Sequence, residues 1–122
     1  MARGTLIGES VGVGCSLDGV GLAVHRVSRV LAGDEAVGQP VVWTFIEFEV
    51  PDSDAGRLAD ALSGVLDPAL GWYCDFRSID ETFVVFADRV FRYPRGDVAG
   101  RAEAEAHARS VGVPEPQLDW AD

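Results

Sequence analysis

The most regular stretch of the chain runs from Val41 to Val50. There Val42, Ile46, Phe48 and Val50 share one side, Trp43 and Phe45 begin the other, and Glu47 and Glu49 end it. β-Branched and aromatic residues at period two predict a strand with one dry face and one that turns from apolar to wet. Upstream, eight glycines in the first 40 residues leave room for two strands, one at Thr5-Leu6-Ile7 and one from Leu22 to Leu31. Gly33-Asp34-Glu35 and Gly38-Gln39-Pro40 mark the loop that follows. Downstream, Pro51-Asp52-Ser53-Asp54 supplies capping side chains and anions for a helix over about 53–66, with Leu58, Leu62, Val65 and Leu66 at helical spacing and Pro68 ending it.

Three further β patterns, Trp72 to Ser78, Thr82 to Ala87 and Val90 to Tyr93, are joined by turns short enough to impose an antiparallel meander. Pro94-Arg95-Gly96-Asp97 breaks the sheet. Asp97 then caps an Ala-rich helix from Val98 to Val111, stopped by Gly112, and an extended tail carries Trp120 as an anchor. This order predicts a single α+β domain over residues 1–122. Its architecture would be a two-layer sandwich, an antiparallel sheet of about four or five strands with two helices on one face, ferredoxin-like or related.

Turn lengths sort the meander. A four-residue turn over Ser78 to Glu81 pairs Arg77 with Thr82, and a three-residue turn over Ala87 to Arg89 pairs Phe86 with Val90. Trp72, Cys74, Phe76, Phe83, Val85, Phe91 and Tyr93 then point to the helices. The opposite face carries Tyr73, Asp75, Arg77 and Arg92 as a candidate ligand site, the two guanidiniums forming a fork for a carboxylate or phosphate. Ordinary cross-strand charge pairs on a wet sheet face account for the same pattern.

Charge sharpens this picture. The chain carries ten basic residues against twenty acidic ones, a net charge of −10, which repels nucleic acid and anionic membranes. All ten are Arg, and the absence of Lys removes Schiff-base and Walker-type chemistry. No apolar run resembles a signal peptide or a membrane span, so the reducing cytosol is the expected compartment. Cys15 and Cys74 stand alone, and no spacing predicts a metal site, cofactor loop or disulfide. Gly12-Val13-Gly14 lacks the third glycine of a dinucleotide loop, Cys74 reads as core, and His25 and His107 are poor catalytic candidates.

The segments Gly71-Trp72-Tyr73-Cys74-Asp75-Phe76-Arg77-Ser78, Glu81-Thr82-Phe83-Val84-Val85-Phe86 and Arg89-Val90-Phe91-Arg92-Tyr93-Pro94-Arg95-Gly96-Asp97 resemble a group of small uncharacterised bacterial proteins from GC-rich genomes. The resemblance extends to the Trp43–Phe48 strand and the Leu118-Asp119-Trp120 tail, and implies one intact domain without carrying any catalytic residue across. Three functions follow from the residues. The first is a non-catalytic binding domain, monomeric or homodimeric, for a small anion or acidic peptide at Tyr73, Asp75, Arg77 and Arg92. The second is an acidic partner of a basic protein acting through Glu47, Glu49, Asp52 and Asp54. The third is a small enzyme with Asp75 as general base, a role the adjacent arginines oppose by lowering its pKa.

Overall fold

A computed structural model describes residues 1–33 and 36–122; the predicted loop residues Asp34 and Glu35 lie outside the described residues. Among the described residues six strands form one antiparallel sheet: β1 (Ala2–Ile7), β2 (Ala23–Leu31), β3 (Val42–Val50), β4 (Cys74–Arg77), β5 (Glu81–Phe86) and β6 (Arg89–Pro94). Their order is β2-β3-β1-β4-β5-β6, so the first strand sits in the middle and joins a β2–β3 hairpin to a β4–β5–β6 meander. Helix α1 (Ala55–Val65) links the two groups, and α2 (Val98–Ser110) follows the meander.

The seam between the groups depends on Gly4. It pairs with Phe48 on one side and Phe76 on the other. A Cβ there would lie 2.5 Å from the Phe76 Cβ and 2.6 Å from the Asp75 carbonyl oxygen. Only a residue without a side chain lets β1 and β4 approach so closely.

Helix α1 buries Ala55, Leu58, Ala59 and Leu62 completely or nearly so, against Phe48, Val50, Cys74, Phe76, Phe83 and Val85. Most of its predicted apolar face is therefore its packing face. Its first predicted turn is instead a short 3₁₀ segment, Asp52–Asp54.

The second helix corrects the layering expected from the sequence. Ala104 and Ala108 of α2 pack with Val84, Phe86, Phe91 and Tyr93, while Phe83 and Val85 pack with α1. Alternate residues of one strand point to opposite faces, so the helices lie on opposite sides of the meander. The sheet is sandwiched there, and neither the single covered face nor the ferredoxin-like layering with both helices together describes it. Gly100 permits the close approach, since a Cβ on it would fall 2.5 Å from the Tyr93 Cβ. The predicted cap holds, with the Asp97 carboxylate accepting from the Ala99 N–H at 3.2 Å.

Residues 114–122 continue across the α2 face as a strap. The Trp120 Nε1–H donates to the Tyr93 hydroxyl at 2.9 Å, and that hydroxyl donates to Asp122 Oδ1 at 2.9 Å. Burial pushes the Tyr93 phenol up to about 12. Arg101 lies 4.7 Å over the Trp120 ring and donates to the Trp120 carbonyl at 2.8 Å. Arg95 donates to the Asp122 backbone oxygen at 3.0 Å and Arg77 to the Ala121 carbonyl at 2.9 Å. Arg77, Arg95 and Arg101 thus hold the strap's backbone oxygens, which no short motif announces.

Glu9 closes the other end of the sheet. Its carboxylate accepts from the Thr44 N–H at 2.6 Å and the Thr44 hydroxyl at 2.8 Å. Burial works to raise its pKa, but these bonds and the Arg29 charge outweigh that and leave it lowered. Among the described residues no helix is long and apolar enough to cross a membrane.

Candidate functional site

The turn between β5 and β6 decides which side chains share a face. It contains two residues, Ala87 and Asp88, with Asp88 at φ 60°, a conformation that Asp tolerates better than most residues. The Asp88 N–H is tied to the Ser63 carbonyl of α1 at 2.9 Å. Phe86 therefore pairs with Arg89, not Val90, and every side chain of β6 is on the face opposite to that expected.

The correction divides the proposed arginine fork. Arg77 pairs with Thr82 as expected, and Asp75 and Arg77 line one side of β4, with Tyr73 just before the strand. Arg92 lies opposite Phe83, on the α1 side, with its guanidinium 4.9 Å from that ring's centroid. It makes a two-pronged ion pair with Glu81, at 2.7 Å and 2.8 Å. That pairing lowers the Glu81 pKa and raises that of Arg92. Arg77 meanwhile donates to the Asp75 carboxylate and to the strap. The two guanidiniums neither converge nor stand unengaged.

What the structure brings together instead is a cleft of about 290 Å³ on the α2 side of the sheet, where the strap stops and the bare strands begin. Thr5 and Ile7 of β1, Phe45 of β3, Asp75 of β4 and Tyr73 just before β4 border it. Trp43, Trp72, Gln117 and Asp119 complete the lining. The neighbours Thr5–Asp75 and Ile7–Phe45 are in direct register, so the pleat aims these four side chains the same way.

The aromatic end is built firmly. Trp43 and Trp72 meet edge to face at 5.5 Å, and the Trp43 indole N–H donates to the Pro40 carbonyl at 2.8 Å. Tyr73 packs against Trp120 at 5.5 Å and donates from its hydroxyl to the Gln117 carbonyl. The buried Gln39 donates to the Leu70 carbonyl at 2.5 Å and accepts from the Gln117 amide at 3.0 Å, which links three loops beside the cleft.

Asp75 supplies the charge. Its side chain keeps a quarter of its surface exposed. Burial raises its pKa, the Arg77 charge and hydrogen bond pull it down, and the Asp119 charge pushes it up again; the balance stays above the usual carboxylate value. The expectation that a neighbouring arginine would settle the matter is thus reversed by desolvation. The lining holds two carboxylates, Asp75 and Asp119, and among the described residues no cationic side chain.

The other sequence candidates resolve as structure. Glu47 pairs with Arg26 at 3.7 Å, Glu49 with Arg3 at 2.7 Å and His25 at 3.3 Å, Asp52 with the N-terminal amine at 3.2 Å, and Asp54 with Arg57 at 3.0 Å. Each acid of the expected basic-partner surface has a cation beside it. Cys74 is buried, and burial drives its thiol pKa well up. His107, a poor catalytic candidate from the sequence, packs against Phe86 at 4.7 Å, and burial together with the Arg89 charge lowers its pKa. No group of three or more His, Cys, Asp or Glu among the described residues could hold a metal ion.

Sequence reasoning named two of the cleft's residues, Tyr73 and Asp75. It placed Trp43 and Phe45 together on one face of their strand but did not connect them to β4, because the insertion of β1 between β3 and β4 leaves no local trace. Fold and site together define an α+β domain with an aromatic, acidic cleft at the border of a half-covered sheet. Compared with protein-family models, curated proteins and solved structures, the chain shows no significant match.

Proposed function

We propose that this chain is a non-catalytic binding domain that takes a small organic molecule into the cleft between its bare strands and the C-terminal strap. The observation that carries the reading is the lining: four aromatic rings, Trp43, Phe45, Trp72 and Tyr73, with a few polar groups gathered beside them. Apolar walls with a few placed polar groups are the usual make-up of a small-ligand pocket, and about 290 Å³ is at the small end of the range. Anion binding at Tyr73, Asp75, Arg77 and Arg92 draws no support from the geometry, since the two arginines lie on different faces and each has a carboxylate partner.

A thermal-shift screen of wild type and Phe45→Ala against a broad set of small metabolites tests this, because a ligand of the native state raises apparent stability. Compounds that stabilise wild type and lose their effect in Phe45→Ala are the expected outcome. Stabilisation that survives the substitution would place binding elsewhere and refute the proposal.

A second reading, proton transfer by Asp75, is favoured by the upward shift of its carboxyl. It requires that a cleft ligand be converted, with a rate that Asp75→Asn abolishes. A bound ligand recovered unchanged after prolonged incubation would reject it.

A further inference from the structure

The charge at the cleft narrows what it can hold. Asp75 and Asp119 line it, and the nearest guanidinium, Arg77, donates to Asp75 and to the Ala121 carbonyl. Two carboxylates against one guanidinium leave one negative charge in excess. Around it stand Trp43, Phe45, Trp72 and Tyr73, whose ring faces attract cations through their quadrupoles. The rest of the molecule reinforces the local sign, because a net charge of −10 raises the concentration of small cations near the surface and depletes anions.

Asp75 is already paired with Arg77, so the excess charge sits on the exposed Asp119 at the mouth of the cleft. A neutral ligand would leave it to water, and an anion would add to it. A cation without an apolar body would leave the rings unused. We infer that the ligand of this cleft is an organic monocation, an ammonium group carried on a compact apolar body. The body lies among Ile7, Phe45 and the two tryptophans, and the ammonium lies toward Asp75 and Asp119. This rests on the cleft being a ligand site, and it predicts which of several equally sized molecules that site prefers.

Three probes with a common phenyl body separate the charge states: phenethylamine as the cation, 2-phenylethanol as the neutral form and phenylacetate as the anion. Their affinities for the full chain at neutral pH are read by calorimetry and by tryptophan fluorescence. Phenethylamine is expected to bind at least about tenfold tighter than 2-phenylethanol, with phenylacetate weakest. In the Asp75→Asn/Asp119→Asn double variant the preference for the amine over 2-phenylethanol collapses. Thermal melts confirm that the variant is folded, and a preference that survives in the folded variant overturns the cation assignment. If the alcohol binds in a Phe45-dependent way as tightly as the amine, the cation assignment fails and the binding-domain reading stands. If none of the three binds, both fail.

Discussion

Strands β4 to β6 and strands β1 to β3 present the same face of one sheet, yet α2 and the strap bury the first half while the second stands open. On β5 and β6 the covered half is buried across its rows: Val84 beside Phe91, and Thr82 beside Tyr93 under Trp120. The open half closes its rows with ion pairs, Arg3 with Glu49 and Arg26 with Glu47. Exposed pairs of that kind contribute well under about 1 kcal/mol each, so the open half needs no more than solubility from them. Near the border this polarity gives way to the half-buried Ile7 and Phe45, which no described helix covers. Apolar side chains kept where packing does not require them mark the cleft as the part of the face retained for contact with something else.

Truncating one aromatic residue in each half is the strongest challenge to this contrast. Trp120→Ala removes a buried ring from between Arg101 and Tyr73 and leaves the Tyr93 hydroxyl without its donor. A loss of about 3–5 kcal/mol is expected in urea unfolding. Phe45→Ala, half-buried on the open side, is expected to cost about 1 kcal/mol. Equal losses would mean that both halves serve the core and that the open face is not set apart.

The seam comes next. Gly4→Ala forces a Cβ against the Phe76 Cβ and the Asp75 carbonyl, neither of which a side-chain rotation can move. About 1–3 kcal/mol of destabilisation is expected, with the earliest loss of amide protection in β1 and β4. Protection lost first in β6 instead would show that the two groups of strands are not joined where the register places them.

Legibility from the sequence follows the same division. The alternation in 41–50 predicted both faces of β3, because an antiparallel strand with one wet side writes its environment as period two. Phe83-Val84-Val85-Phe86 is an uninterrupted apolar run, the pattern of a strand buried on both sides. Assuming one wet face, the sequence reading chose the turn that gathered Phe91 and Tyr93 with Phe83 and Val85, and so moved Arg92 to the wrong side. Asp88, able to take positive φ, was the local sign of the shorter turn. The strap's contacts and the central position of β1 are long-range, and neither periodicity nor composition encodes them.

Asp75 offers a smaller effect with an informative sign. Its pKa in the folded chain lies above the unfolded value of 3.8. Between those two values the folded state binds more protons than the unfolded one, so stability falls as pH rises through that window and stays reduced above it. Asp75→Asn is therefore expected to raise stability at neutral pH, by about 0.5–2 kcal/mol. The gain should shrink as pH falls through the raised folded pKa and the wild-type carboxyl takes up its proton. The same substitution should weaken phenethylamine binding. Stability gained where binding is lost marks a group kept at the expense of the fold. Loss of stability at neutral pH would instead make Asp75 a structural partner of Arg77.

Arg92 gives the smallest effect and the most direct test of register. On the α1 side its guanidinium lies over Phe83 and pairs with an exposed Glu81 arm, so Arg92→Ala should cost less than about 1 kcal/mol. It should leave cleft binding of phenethylamine unchanged. The three-residue turn would have set Arg92 beside Val84 on the cleft's own face, where removing a cation from next to Asp75 would strengthen amine binding and raise the Asp75 pKa further. Titrating the Asp75 carboxyl by NMR in wild type and Arg92→Ala separates the two arrangements. Coincident curves place Arg92 across the sheet, and an upward displacement returns it to the cleft face.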